Sequence, residues 1–348
     1  MSDWAARWRW NSALVALCIL TLPAVTPARA SKPRLRLEWV DSGGCRGSGA
    51  VRAHLRDVEL EGTLRVEPAS AYRLVVDGKP LADPPVRDGV FEQADDPLWI
   101  ALIIQASADL RADLDRIKAG VVTFIGQLPA RSRLTVISYT WEVERRLSLG
   151  TPEAASRAVR GIEAGTEGGE VALVEAVQTG LRGLSAGPPF RRLVVVVSDG
   201  LDRNPKRDVF RALGDSARRL RAPIFPVAYS PIDERGPLLN LGEIAKRSLG
   251  TLRWARRPGE IEQQLRMLAV EVGGQRVLTF RVPSGCAVAH EMQIQNGALR
   301  SNRVRTEPSS EPAGRSPRWR RWLALGSAAV VLVLLVFVVR GIARRRRR

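Results

Sequence analysis

Hydrophobic positions along the 348-residue chain change rhythm twice. From Leu35 to about Pro97 they come in short β-like runs, RLRLEWV, AVRAHLRDVELEGTLRVE and YRLVVDGKPL, the last carrying an Asp77-Gly78 turn. No helical period holds there, and the runs predict a small β module over residues 31–97. From Leu98 the pattern is different. Leu98 to Ile104 is a continuous apolar run, and Leu110, Leu114, Ile117, Val121, Phe124 and Leu128 follow at helical spacing. Strands over 133–140 and 143–149 come next, then helices from Pro152 to about Ile162 and over Val171–Leu184, and the strand LVVVVSD at 193–199. A helix over Asp208–Leu220, the strand PIFPVAY at 223–229, a helix over Leu238–Ser248, the strand TLRWA at 251–255 and a helix over Glu260–Val272 complete the series. Strands alternating with helices predict an α/β domain over residues 98–272, built on a doubly wound, mainly parallel sheet with helices on both faces. In such sheets ligands meet the loops at the carboxyl ends of the strands, so the loops after Ile104 and Val197 form the working edge. From Arg276 the chain turns β again, with RVLTFRV and AHEMQIQ separated by PSGC, and a β tail is expected over 273–299. Residues 300–318 are polar, with Pro, Ser and Arg, and are expected to form a linker.

Two apolar runs lie outside this body. Residues 1–30 place arginines first, then an apolar run from Ala13 to Val25, then Ala28-Arg29-Ala30 ahead of Ser31, the layout of a cleaved secretory signal peptide. An uncleaved anchor is the alternative and keeps the same compartment. Cys18 follows Leu17, where a lipoprotein signal calls for a small residue. Leu323 to Val339 is an uncharged run of 17 residues, flanked by Trp319 and Trp322 and closed by Arg340 and Arg344–Arg348. At about 1.5 Å per residue it nearly crosses a hydrocarbon core, so residues 319–340 are expected to be a single transmembrane helix. With a signal peptide ahead of it, the body falls outside, periplasmic or extracellular, and the basic tail 341–348 in the cytoplasm.

Placing the charges changes what the net of +18 means. Residues 315–348 hold ten arginines and no acid, and residues 1–30 hold three arginines against one aspartate. The remaining body carries 41 Lys and Arg against 35 Asp and Glu, only +6. Nucleic-acid binding loses its main support, and the tail suits topology and contact with anionic lipid. Without the signal peptide two cysteines remain, Cys45 and Cys286. Disulfides persist outside the cytoplasm, so a Cys45–Cys286 bridge is expected, with free structural thiols as the alternative.

The order of elements, with SYT after the second strand of the α/β series and SDG after the fourth, resembles a von Willebrand factor A (vWA) domain over residues 98 to about 272. The whole layout is similar to that of bacterial vWA-containing surface or periplasmic proteins. The resemblance implies a metal-ion-dependent adhesion site: D-x-S-x-S after the first strand, a threonine in a second loop and an aspartate in a third, holding Mg²⁺ with a place left for a partner's carboxylate. Here the first loop reads Gln105-Ala106-Ser107-Ala108-Asp109, the second Gly168-Gly169-Glu170-Val171-Ala172-Leu173, and the third Ser198-Asp199-Gly200. Ser107 and Asp199 match the pattern. Gln105 replaces a carboxylate, Asp109 a serine, and Val171 falls at the threonine unless a one-residue slip puts Glu170 there. A degenerate site with no working metal is expected, since Mg²⁺ demands near-ideal geometry. The alternative is a rearranged set of Ser107, Asp109, Glu170 and Asp199, with Asp202 nearby, for Mg²⁺, Ca²⁺ or Mn²⁺. His54 and His290 lie outside the vWA-like region and are expected to be structural.

Three function classes follow. The first is a membrane-anchored module that docks a protein partner through the loops bearing Gln105, Ser107, Asp109, Glu170, Val171 and Asp199, with no cofactor and no small-molecule substrate. The second is an α/β enzyme. Against it, no G-x-G-x-x-G follows the first strand, G-x-x-x-x-G-K-S/T does not occur, and no G-x-S-x-G elbow places a nucleophile after a strand, since Gly183-Leu184-Ser185-Ala186-Gly187 lies at the end of a predicted helix. The third is a scaffold whose β segments carry the contacts.

Overall fold

The computed structural model describes residues 34–42, 49–58, 67–91, 97–166, 171–186, 191–203, 206–230, 235–282 and 288–306. The chain opens with antiparallel strands β1 (Arg34–Asp41) and β2 (Ala50–Val58). A tight hairpin joins β3 (Tyr72–Val76) to β4 (Lys79–Pro80), and β5 (Arg87–Val90) follows. Asp77 and Gly78 both hold positive φ, 49° and 81°, the backbone that such a hairpin turn requires.

The α/β series begins with β6 (Leu98–Gln105), every residue of which is buried. Around it are α1 (Leu114–Gly126), β7 (Arg133–Tyr139), β8 (Val143–Gly150), α2 (Pro152–Arg160), α3 (Leu173–Ser185) and β9 (Arg191–Ser198). Then come α4 (Arg207–Arg219), β10 (Ile224–Tyr229), α5 (Arg235–Ser248), β11 (Arg253–Ala255) and α6 (Pro258–Gly273). The six-stranded sheet runs β11-β10-β9-β6-β7-β8, parallel except for the antiparallel β7–β8 pair. This is the doubly wound, mainly parallel arrangement that the alternating series predicts. Successive side chains of β6 point to opposite faces. Ile100, Leu102 and Ile104 pack with α1, α2 and α6, while Trp99, Ala101 and Ile103 pack with α3, α4 and α5. A strand buried on both faces reads as an unbroken apolar run, which is why LWIALII shows no alternation. Gly180 lets α3 lie directly on the sheet: a Cβ there would sit 3.1 Å from Ile103 Cδ1 and 3.2 Å from Ala101 Cβ.

After α6 the chain forms β12 (Arg276–Arg281), β13 (Glu291–Asn296), β14 (Leu299–Arg300) and β15 (Val304–Arg305). The segments before and after the α/β domain pair with each other. β12 lies between β2 and β5 in the sheet β1-β2-β12-β5, and β13 pairs with β3, β14 and β15 in a second sheet. Leu37, Leu55, Leu74, Phe280, Met292 and Ile294 share one core between them. Residues 300–306, expected within the linker, are instead part of this β unit. Their polar side chains serve backbone groups: Ser301 Oγ accepts from Ile294 N at 2.9 Å and Thr306 Oγ1 from His290 N at 2.9 Å, while Val304 is buried.

A buried ionic network joins the β unit to the amino ends of the parallel strands. Arg56, on β2, is 4% exposed. Its Nε lies 2.7 Å from Glu38 Oε1, its Nη1 bonds Thr251 Oγ1 at 3.0 Å and meets the Glu271 carboxylate, and its Nη2 bonds the Leu249 carbonyl at 2.6 Å. Gln275 Nε2 donates to Glu38, and Arg191 Nη2 lies 3.6 Å from it. The Arg191 guanidinium also stacks 4.1 Å over the Phe91 ring. Burial works to raise the Glu271 carboxyl, but Arg56 and Arg253 outweigh it and hold the group below its ordinary value.

Residues 1–30, the run Leu323–Val339 and the basic tail lie outside the described residues, as do Cys45, Cys286 and Glu170. Among the described residues no helix is long and apolar enough to cross a membrane.

The network predicts a large penalty for Arg56→Ala, which removes from Glu38 and Glu271 the cation they share. A loss of about 3–5 kcal/mol is expected, read as a lower urea midpoint. The acid limb follows from Glu271. Because its folded pKa is depressed, its contribution is complete above the unfolded value of 4.5 and drains away as pH falls through the lower folded value. Glu271→Gln should flatten that part of the stability curve; an unchanged acid limb would contradict the assignment.

Candidate functional site

The carboxyl ends of β6, β7 and β9 come together around one side chain. Gln105 closes β6 and is completely buried. Its Nε2 donates to Ser107 Oγ at 2.9 Å and to Asp199 Oδ2 at 2.8 Å. Its Oε1 accepts from Ser198 Oγ at 2.9 Å and from the Asp199 backbone N–H at 3.1 Å. Tyr139, closing β7, donates its hydroxyl to Ser198 Oγ at 2.8 Å and lies 3.3 Å from Gln105 Oε1. The amide orientation follows from this arrangement, because turning it over would set Oε1 against the Asp199 carboxylate.

Asp199 is 4% exposed, and its other oxygen accepts from Leu201 N at 2.9 Å. Burial pushes its carboxyl above the usual range; the Leu201 N–H and the Gln105 amide oppose the rise, and the charge of Asp109 adds to it. The Tyr139 phenol is pushed well above its usual value by burial and then by the Asp199 charge. Gly200 turns the third loop with φ of 84°, and a Cβ there would fall 2.3 Å from the Pro237 carbonyl oxygen. Only glycine fits that turn.

The other sequence candidates are placed as follows. Asp109 is exposed on a short 3₁₀ turn, Ala108–Leu110. Val171 is buried among the apolar residues under α3, and its carbonyl accepts from Arg203 N at 2.8 Å. Asp202 caps the start of α3, its Oδ2 accepting from Val174 N at 2.8 Å. His54 is buried between Trp39 and Phe91, with ring centroids at 4.8 and 5.6 Å, and His290 Nδ1 lies 2.7 Å from Asp77 Oδ2. Both histidines are in the β unit, away from the working edge.

These residues do not fit a magnesium ion. Ser107 Oγ and Asp199 Oδ2, the two ligands that match the resembled vWA pattern, are bridged by the Gln105 NH₂ group, and Val171, one of the two candidates for the threonine position, is a buried hydrocarbon. An amide hydrogen-bonded to both ligands supplies two N–H donors where a cation would need oxygen acceptors.

Sequence reasoning missed one group on this edge. Trp141, in the β7–β8 turn, is 48% exposed and is the only exposed aromatic side chain among the described residues. The Arg203 guanidinium lies 5.4 Å from its ring centroid, bonds the Trp141 carbonyl at 3.3 Å and pairs with Glu175. The available signal was an indole directly after SYT, at a turn position where nothing buries it. Behind the first loop, Tyr229 donates to Asp113 Oδ2 at 2.7 Å and ties the end of β10 to the start of α1.

Two outcomes test this geometry. Gln105→Ala should cost about 1–3 kcal/mol by leaving Asp199 and Ser198 without their buried partner, measured by urea unfolding. Millimolar Mg²⁺ should leave the melting temperature of the unaltered protein unchanged. It should raise that of the triple variant Gln105→Asp, Asp109→Ser, Val171→Thr with the logarithm of free ion concentration. Tight, stoichiometric binding by the unaltered protein, abolished by Asp199→Ala, would refute the metal-free geometry.

No protein-family model matches the chain, and no curated protein matches it. Among solved structures it is similar to a von Willebrand factor type A protein from Catenulispora acidiphila, at 12% identity over 81% of this chain and 76% of that one, with a TM-score of 0.46. It is also similar to BatB from Bacteroides thetaiotaomicron, at 16% identity over 49% of this chain and 98% of that one, with a TM-score of 0.39. The vWF domain of the type V pili tip protein Mfa5 from Porphyromonas gingivalis is similar at 9% identity over 50% of this chain and 94% of that one, with a TM-score of 0.42.

Proposed function

We propose that the chain is a membrane-anchored, extracytoplasmic protein-binding module of the vWA type whose docking edge works without a divalent ion. The Gln105 amide carries this reading. Its Nε2 closes the contacts to Ser107 and Asp199 that a cation would bridge, so the loops after β6 and β9 are held together by a covalently attached donor. Around that closed centre the edge presents Trp141, Arg203, Glu175 and Asp109, all exposed. Trp and Arg are the residues that most often dominate protein interfaces, because each combines a large contact area with directed polar atoms. The anchor and the outward placement of the body rest on the apolar runs Ala13–Val25 and Leu323–Val339 and on the arginines that follow. An enzymatic role has no support from the edge, whose buried polar groups are engaged with one another.

One observation favours a second reading. The charge of Asp109 helps raise the Asp199 carboxyl, and a Ca²⁺ or Mn²⁺ ion shared by Ser107, Asp109, Glu170 and Asp199 would relieve that repulsion.

The full chain in neutral detergent, used as bait for an extracellular extract of its source, separates the two. The same partner should be retained with Mg²⁺ and with chelator, and lost with Trp141→Ala plus Arg203→Ala at an unchanged melting temperature. Loss on chelation would transfer the function to the carboxylate set. Protease added to intact cells should digest the body, while a cytoplasmic reporter fused after Arg348 stays active. A protected body would overturn the topology.

A further inference from the structure

At the end of the sheet opposite the docking edge, a cavity of about 450 Å³ opens between the end of α4, the turn after α5 and the C-terminal strands. Its lining includes five arginines, Arg218, Arg219, Arg221, Arg303 and Arg305, against two acids, Glu38 and Asp215. Both acids are matched by arginines from outside the lining. Glu38 Oε1 lies 2.7 Å from Arg56 Nε, and Asp215 Oδ1 lies 3.7 Å from Arg247 Nη1. Arg303 meets Glu291 at 2.8 Å, whereas Arg218 and Arg305 form no ion pair among the described residues. Among the described residues, Arg218 and Arg305 therefore leave the cavity with a positive excess.

Local structure builds that excess from two distant segments. At the end of α4, Arg221 holds φ of 53°, its N–H donating to the Arg218 carbonyl at 3.0 Å and the Ala222 N–H to the Ala217 carbonyl at 3.0 Å. This is the left-handed stop of a helix, where glycine is the unstrained residue. An arginine accepts the strain here, and its guanidinium donates to the Arg305 carbonyl, fastening α4 to β15. In β15 the alternation Arg303-Val304-Arg305-Thr306 buries Val304 and Thr306 and turns both arginines outward. Only 16 residues then separate Thr306 from Leu323, where the apolar run begins.

We propose that this cavity binds the phosphate of an anionic lipid headgroup at the outer surface of the membrane that anchors the chain. The proposal rests on the anchored reading above. Guanidinium groups match phosphate oxygens in bidentate geometry, and a cluster of them beside a tether of at most about 60 Å is drawn to an anionic bilayer. Seated this way, the amino ends of the strands face the lipid and the edge with Trp141 faces away, toward a partner.

The test titrates the full chain in neutral detergent with dihexanoyl phosphatidylglycerol, dihexanoyl phosphatidylcholine, inorganic phosphate and a glutamate-rich peptide, by calorimetry. Saturable binding of the phosphatidylglycerol, about tenfold or more tighter than of the phosphatidylcholine, is expected. The variant Arg218→Ala, Arg221→Gly, Arg305→Ala should lose about tenfold or more of that affinity while melting at or near the unaltered temperature, since glycine relieves the left-handed turn. If the triple variant does not fold, Arg218→Ala alone, at an exposed helix end, should weaken binding in the same direction. Equal binding of both lipids, tighter binding of free phosphate or of the acidic peptide, or unchanged binding by the folded variants would overturn the proposal. Carbonate extraction of membranes checks the anchor separately: a chain released by carbonate sinks the anchor, whatever the titration shows.

Discussion

The working edge depends on one buried amide. A strand with every residue buried must end somewhere, and β6 ends on Gln105, whose side chain has two donors and an acceptor to satisfy away from water. It satisfies them on the loop that follows its own strand and on the loop that follows β9, with the Tyr139 hydroxyl closing the network from β7. Two loops far apart in sequence and the end of a third strand are thereby fixed to one another. An unpaired polar group at that depth is costly, and the same cost that makes the arrangement rigid makes it hard for a cation to enter. A metal would have to displace the amide from both Ser107 and Asp199 and leave its N–H groups without acceptors.

How much of this was legible in the sequence depends on whether a feature is local. The α/β series reads out within a few residues because each element carries its own periodicity: LWIALII is continuous, and Leu114, Ile117, Val121 and Phe124 repeat at helical spacing along α1. The β unit reads less well. RLRLEWV and RVLTFRV are recognisable as strands without knowing their neighbours, but the pairing of β12 with β2, Arg276 opposite Leu55, joins residues more than two hundred apart and leaves no local trace. Residues 300–306 failed for a different reason. Their polarity looks like a linker, whereas Ser301 and Thr306 are polar in order to serve the backbone of β13 and its flank.

The site divides in the same way. Sequence spacing was enough to bring Gln105, Ser107 and Asp199 to one edge, because all three follow strands of one parallel sheet. What spacing could not show is that Gln105 binds the other two. A glutamine where the resembled pattern has a carboxylate reads as a loss, and only the distances show its amide hydrogen-bonded to both Ser107 and Asp199. Trp141 was passed over because a turn residue between two strands has no period to mark it. Its meaning comes from exposure and from the Arg203 guanidinium stacked against it.

Charge shows most plainly what counting along a chain conceals. A body excess of +6 over nearly three hundred residues implies no special surface. Folding gathers it unevenly. Arg218, Arg219 and Arg221 end a helix, Arg303 and Arg305 lie at and beside β15 more than eighty residues later, and both segments line one cavity whose acids are already matched from behind. The buried network of Arg56, Glu38 and Glu271 lies directly beneath, at the join of the two units. That join is what brings β15 against α4, so the basic cavity exists only because the β unit is clamped to the amino ends of the parallel strands. The opposite ends of the same strands carry the amide-locked edge. A single sheet thus separates two surfaces of different character by its full length, and the polarity of the strands decides which faces which.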